Sequence, residues 1–297
     1  MTNDLILIVG SIALDLIETP YDRKENVIGG STTYALIAAS KRAPVSVVGV
    51  IGDDFPKKGI DLYEKYAHNL NDLKIVSGKT FRWGGRYHEN LDDRDTLYTE
   101  LGVFESFNPI LSPSNQNCSH IFLANIHPDL QQLVIDQNKN PDALIVVDTM
   151  NLWINTALDG LINVLSNSHI LLINESEAAM LTGQDTINSC ARALQDKGPQ
   201  TVVIKKGSKG AVLFSEKVQI TIDAYPIEKV IDPTGAGDTF GGGFISCLAD
   251  GKTMDEALIN ASVLASLCVE GFGTDAIIAA DKTEIIRRKT YLQDRIR

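Results

Sequence analysis

The chain has 297 residues, enough to bury a sizeable core as one large α/β domain or one such domain with a small appendage. With 44% hydrophobic and 22% charged residues it has the composition of a folded soluble protein. Its formal net charge of −11 argues against nucleic acid or an anionic membrane as the main partner, so a phosphate ligand would have to be held by local amides, lysines and a metal. Cys118, Cys190, Cys247 and Cys268 form neither a C-x-x-C pair nor a metal spacing and are expected as reduced, partly buried thiols.

Leu5-Ile6-Leu7-Ile8-Val9 is too short to span a membrane and has no basic flank or cleavage site, so a cytoplasmic protein is expected. Further apolar runs follow at Val45–Val50, Ile121–Ala124, Ala143–Val147, Ile170–Ile173 and Val202–Ile204. Runs without polar alternation predict strands buried on both faces, hence a largely parallel, doubly wound sheet. Helices are expected near 31–42, 55–68, 128–138, 152–165, 175–182, 187–197, 237–250, 254–269 and 282–295. The 254–269 segment is the clearest: Met254, Ala257, Leu258, Ala261, Leu264, Ala265 and Cys268 make one apolar stripe behind a Thr253/Glu256 capping box.

Polar residues stand where four strands end: Asn125, Asp148, Asn174 and Lys205. Ligands of open α/β sheets bind outside the carboxyl ends of the strands, so these side chains are expected to line one cleft. Between Lys79 and Phe104 the alternation breaks. Thr80-Phe81-Arg82-Trp83 and Thr96-Leu97-Tyr98-Thr99-Glu100-Leu101 flank a polar run and predict an antiparallel hairpin, either an edge decoration or a lid. Leu16–Ile28 is expected to supply another lid strand. An exposed β edge there favours a homodimer.

The chain is organised around Asp232-Pro233-Thr234-Gly235-Ala236-Gly237-Asp238-Thr239-Phe240-Gly241-Gly242-Gly243-Phe244. Each helical glycine costs about 1 kcal/mol relative to alanine, so backbone room here outweighs helix stability. Gly235 and Gly237 permit positive φ or close approach, and the amides that follow sit at a helix N-terminus, which attracts an anion. Asp238 inside that positive nest calls for a metal, a proton or a reacting hydroxyl.

No G-x-x-x-x-G-K-[ST] loop is present, and a dinucleotide-binding reading of Gly235–Phe240 fails at the third glycine, where Phe240 stands. Other features strengthen a phosphate site. Asp15, shortly after Gly10-Ser11, can accept hydrogen bonds from two neighbouring hydroxyls, and Gly29-Gly30 opens a helix as a second close-approach point. Asn174 with Glu177 reads as a helix cap or as the organiser of a hydrated Mg²⁺.

Gly29-Gly30, Asn174-x-x-Glu177, Lys206-Gly207-x-x-Gly210 and, above all, Asp232–Phe240 resemble the ribokinase-like (pfkB) family of carbohydrate kinases over nearly the whole chain. The resemblance implies one ribokinase-like domain over 1–297, a doubly wound, mostly parallel sheet flanked by helices, with a β lid from about 16–29 and 79–105. It implies transfer of the γ-phosphoryl of ATP to an alcohol, with Asp238 as the base and the amides of Gly235, Ala236 and Gly237 as an anion hole. Beside those amides Asp238 is expected to be ionised at neutral pH. The same resemblance implies Mg²⁺ organised through water by Glu177, nucleotide contacts from Asn174, Lys206, Gly207, Gly210 and Asn260, and a K⁺ loop at Asp232 and Thr234. Substrate contacts are expected at Asp15, Gly29, Gly30, Tyr34, Asn125 and Asn151.

Two departures bear on the acceptor. Tyr34 stands where many sugar kinases of the family carry Asn, and Asp148-Thr149-Met150-Asn151 resembles the family's Asp-x-Asn element with one extra residue. With Phe81, Trp83 and Trp153, these aromatics suit stacking on a base, so the acceptor is a sugar or, alternatively, a nucleoside. Two other classes stand beside the kinase: a catalytically silent sugar or nucleotide sensor on the same fold, which loss of Asp238 would have favoured, and a dehydrogenase, which rests on the α/β pattern alone.

Overall fold

A computed structural model describes residues 5–91 and 93–297. The strands in chain order are β1 (Ile6–Val9), β2 (Ala13–Glu18), β3 (Arg23–Gly29), β4 (Val45–Gly52), β5 (Asn69–Val76), β6 (Phe81–Tyr87), β7 (Arg94–Glu100), β8 (His120–Leu123), β9 (Leu144–Asp148), β10 (Ile170–Asn174), β11 (Thr201–Lys205), β12 (Ala211–Phe214) and β13 (Gln219–Ile222). They form a nine-stranded sheet in the order β13-β12-β11-β10-β9-β8-β1-β4-β5 and a separate four-stranded sheet in the order β3-β2-β6-β7.

From β11 to β5 the large sheet is parallel; β12 and β13 close it as an antiparallel edge. Successive side chains on a strand point to opposite faces, so each apolar run supplies two cores. Ile6 and Ile8 enter one core with Leu172 and Val203, on the side of helices Ser31–Ala39, Ala236–Ala249 and Met254–Cys268. Leu7 and Val9 enter the other with Leu171, Ile173, Val202 and Ile204, against helices Leu158–Ser166, Glu175–Thr182 and Ile187–Gln195.

The glycines after the nest are explained by what surrounds them. A Cβ on Gly241 would meet the ring of Phe122 on β8, one on Gly242 the backbone of Ala35, and one on Gly243 would lie 3.2 Å from Ala261 Cα. Helix Ala236–Ala249 is thus wedged between the sheet and two other helices at backbone distance, which offsets the propensity lost to three glycines.

The expected helix at 152–165 is instead two, Asn151–Thr156 and Leu158–Ser166, because Ala157 leaves helical geometry at φ −144° and ψ 38°. The single lid strand expected from Leu16–Ile28 is a hairpin, β2 and β3, turning where Thr19 N–H donates to Asp22 O at 2.9 Å. The hairpin expected between Lys79 and Phe104 is the antiparallel pair β6–β7, and β2 joins β6 in parallel. Strands β5, β12 and β13 and the short helix Asp275–Ala279 add to the expected set. All four cysteines are free and buried, and no helix among the described residues is long and apolar enough to cross a membrane.

Candidate active site

Gly235 caps helix Ala236–Ala249 in the left-handed region, φ 74° and ψ 3°, and a Cβ there would run into the Tyr34 ring. Both conformation and space therefore require glycine at this residue. Asp232 pins the turn from behind: it is fully buried, Oδ1 accepts from Thr234 N–H at 2.8 Å and Oδ2 from Gly273 N–H at 3.3 Å. Of the expected nest amides, Ala236 N–H already donates to Pro233 O at 3.3 Å. Gly237 belongs to the first turn, whose donors have no partner inside the helix.

Asp238 sits on that first turn, and its carboxyl is pushed up to about 7, by burial first and then by Asp148, while Lys205 and Arg94 oppose the shift. The expectation that the nest keeps it fully ionised at neutral pH is thereby corrected: desolvation outweighs the amides. Asp15 on β2 is buried against Gly29, accepts from the Gly30 amide, and is pushed up to about 8, mainly by burial, with Asp232 and Asp238 adding.

The strand ends converge as the sheet rule requires. Register sets Asn174 beside Lys205, and both carboxylate oxygens of Asp148 accept from Lys205 Nζ at 3.1 and 3.0 Å. Burial works against the Lys205 charge, but Asp148, Glu177 and Asp238 outweigh it and hold the ammonium protonated. Asn174 and Glu177 form the full capping box: Asn174 Oδ1 accepts from Glu177 N–H at 2.8 Å, and Glu177 Oε2 from Asn174 N–H at 3.1 Å. The Asn151 amide also donates to Glu177, whose carboxyl burial pushes up.

Other expected site residues are engaged within the fold. Gly30, at φ 84°, approaches the Ser11 backbone, and Ser11 and Ser31 exchange N–H to hydroxyl bonds at 3.0 and 3.1 Å. The room at Gly29-Gly30 thus serves the chain's own β1–β2 link and Asp15. Tyr34 is buried beneath Gly235 with its hydroxyl unpaired, so it offers no face for stacking. Asn260 is a clamp between helices: its Oδ1 accepts from Arg42 Nε at 2.9 Å and its Nδ2 donates to Gly243 O at 2.7 Å. Those bonds explain its burial without a nucleotide. Asn125 is held by Trp153 Nε1, which donates at 2.8 Å, and by Met150 Sδ. Lys206, Gly207 and Gly210 make the tight turn from β11 to β12, with Lys206 N–H donating to Gly210 O at 2.8 Å and both glycines at positive φ. Phe81 stacks on Phe104, which stacks on Phe107, so it packs the base of the small sheet.

Four participants had no catalytic or binding role assigned from the sequence. Lys205 was legible only as a polar strand end, and Asp148 as a strand end and the start of the Asp-x-Asn-like element. Tyr87 and Arg94 of the β6–β7 hairpin carried no signal, yet Thr234 Oγ1 donates to Tyr87 Oη at 3.0 Å. Arg94 bonds the Tyr87 hydroxyl, lies 5.5 Å from the Trp83 ring centre, and acts on Asp238. The small sheet therefore touches the nest loop.

A parallel α/β sheet whose strand ends face a glycine-capped helix with an acid on its first turn is the arrangement expected of a phosphotransferase of the ribokinase type. Residues 89–281 match the pfkB family carbohydrate kinase profile. The chain is 29% identical over 259 residues to a cytidine kinase of Thermococcus kodakarensis, covering 85% of this chain and 91% of that one. It is 28% identical over 295 residues to a ribokinase of Bacillus subtilis, covering 90% and 94%. Among solved structures, an E. coli protein titled a putative ribokinase II superposes with a TM-score of 0.83 at 20% identity, over 97% of this chain and 99% of that one. A Methanocaldococcus jannaschii nucleoside kinase gives 0.79 at 19%, over 97% and 98%. The chain belongs to the pfkB family of carbohydrate kinases and is an ATP-dependent phosphotransferase acting on a hydroxyl of a sugar or nucleoside.

Proposed function

We propose that Asp238 accepts the proton of the acceptor hydroxyl, that Asp15 holds neighbouring hydroxyls of the same sugar, and that the Gly235–Gly237 turn receives the transferred phosphoryl group. The observation that carries this reading is the placement of half-buried Asp238 on the first turn of the glycine-capped helix, where a Cβ on Gly237 would come to 3.3 Å from Lys205 Nζ; its carboxyl, pushed up to about 7, lies within electrostatic reach of Asp15. A base poised near the working pH combines availability with driving force. Phosphoryl transfer then asks for little besides positioning and charge stabilisation, which fixed first-turn amides supply.

Mg²⁺ and K⁺ belong to the same reading. Among the described residues no cluster of three or more His, Cys, Asp or Glu forms a ready-made metal cage. Glu177, already accepting two backbone N–H groups, suits a cation held through its water shell, as hard oxygen donors do. Mg²⁺ there would neutralise charge on the nucleotide phosphates. K⁺ is supported at Asp232 and Thr234 by a buried carboxylate whose bonded partners are two backbone N–H groups and the Thr234 hydroxyl rather than a lysine or arginine. We place the protein in the cytoplasm, as a homodimer through the small sheet, whose edges are β3 and β7 and where Leu97 and Leu101 are exposed.

A nucleoside acceptor is favoured by one observation. Register on the small sheet pairs Asp15 with half-buried Trp83, setting an aromatic ring next to a hydroxyl-binding carboxyl, and the cytidine kinase similarity agrees with it. The test is ATP consumption across ribose, fructose, 2-keto-3-deoxygluconate, adenosine, inosine and cytidine, with Asp238→Asn alongside. Turnover should nearly vanish in that variant while nucleotide binding persists; near-normal turnover would sink the role of Asp238.

A further inference from the structure

Lys205 brings an ammonium into the middle of the acidic site. Its side chain is 17% exposed, and its Nζ donates to both oxygens of Asp148. An ammonium has three donors, of which Asp148 takes two. Glu177 and Asp238 act on the same charge. The nest lies close to it as well, since a Cβ on Gly237 would come to 3.3 Å from Nζ. Glycine at 237 thus leaves the way open between this ammonium and the helix end.

A lysine that served only to neutralise Asp148 would have no need of that position. Nor is stability an adequate account, because a buried ion pair is often matched or bettered by apolar residues of similar volume. We propose that Lys205 is a further catalytic residue, whose ammonium contacts the terminal phosphoryl group of the nucleotide and stabilises the charge that collects there. The proposal rests on the assignment of the Gly235–Gly237 turn as the phosphoryl site. In the step, the bond from the γ-phosphorus to the β,γ-bridging oxygen breaks and its electron pair leaves with ADP. The acceptor oxygen bonds the phosphorus, and its proton passes to Asp238. Lys205 gives and takes no proton; it supplies a fixed charge.

The test compares calorimetric binding of β,γ-methylene-ATP and of ADP to the wild type and Lys205→Met. Loss of one charge-assisted contact should weaken the analogue about tenfold or more and leave ADP within about twofold. The kcat should fall about a hundredfold, with partial recovery in Lys205→Arg. Parallel weakening of both nucleotides, or a kcat within about threefold of wild type, overturns the proposal and leaves Lys205 as a support for Asp148. Should Lys205→Met fail to fold, the pair Lys205→Met/Asp148→Asn removes the unpaired buried carboxylate. The same loss of preference for the analogue over ADP is expected of it, and a wild-type preference overturns the proposal. Failure of the Asp238 assignment reads differently, as normal turnover in Asp238→Asn.

Discussion

Asp15→Asn should lose activity yet stabilise the ligand-free protein at alkaline pH. The Asp15 carboxyl stands at about 8 in the fold against an ordinary 3.8, with burial as the main cause. Between those values the unfolded chain has released the proton and the folded one keeps it. Stability from this group is therefore full below about 4, declines as pH rises, and is exhausted above about 8. Each unit is worth about 1.4 kcal/mol, so moving from pH 5 to pH 8 costs the wild type on the order of 4 kcal/mol through this residue alone. Asparagine retains the acceptor for the Gly30 amide and cannot ionise. Scanning calorimetry of both proteins should show melting temperatures that separate by about 5 °C more at pH 8 than at pH 5, the variant being higher. A difference between the two proteins that is the same at both pH values would refute the reasoning, since it would mean Asp15 is already ionised in the fold.

By the same logic the proposed base predicts a kcat/KM that rises with pH around a midpoint of about 7, because Asp238 must shed its proton to serve in that role. Arg94→Met, which removes a charge favouring the ionised form, should move that midpoint upward; a pH–rate profile unchanged by the substitution would count against Arg94 facing the base. Gly242→Val should cost about 1–3 kcal/mol in urea melts, since the new side chain meets the Ala35 backbone and neither helix has room to yield.

The sheet was legible because its strands are buried on both faces: unbroken runs such as Leu5–Val9 have no other use in a chain of this composition. Strand β5 was not, since Asn69–Val76 is a half-exposed edge with polar residues through its length, and β13 is an edge of the same kind. The Asn174/Glu177 cap could be read because a cap is local, three residues apart. The ion pair of Lys205 and Asp148 could not, because 57 residues separate its partners and only the register of β9, β10 and β11 brings them together. Tyr34 failed for a related reason. Its helical position left open which way the ring faces, and the answer depends on Gly235, far along the chain and without a Cβ to oppose it.

The site concentrates negative charge. Asp15, Asp148, Glu177 and Asp232 are buried, Asp238 is half-buried, and Lys205 is the ammonium set directly among them. Burial raises the carboxyls of Asp15, Glu177, Asp232 and Asp238 together, so the fold carries protons or strain that a hydroxyl-bearing acceptor and a nucleotide with its cation would relieve. Binding and proton release must then be linked: whatever favours the ionised form of Asp238 gains affinity as pH rises toward 8, by the same free energy it returns as stability. On the proposed reading, an acceptor hydroxyl between the nest and the acid on its first turn gives the proton a destination, and the transferred phosphoryl group gives the amides a charge to hold.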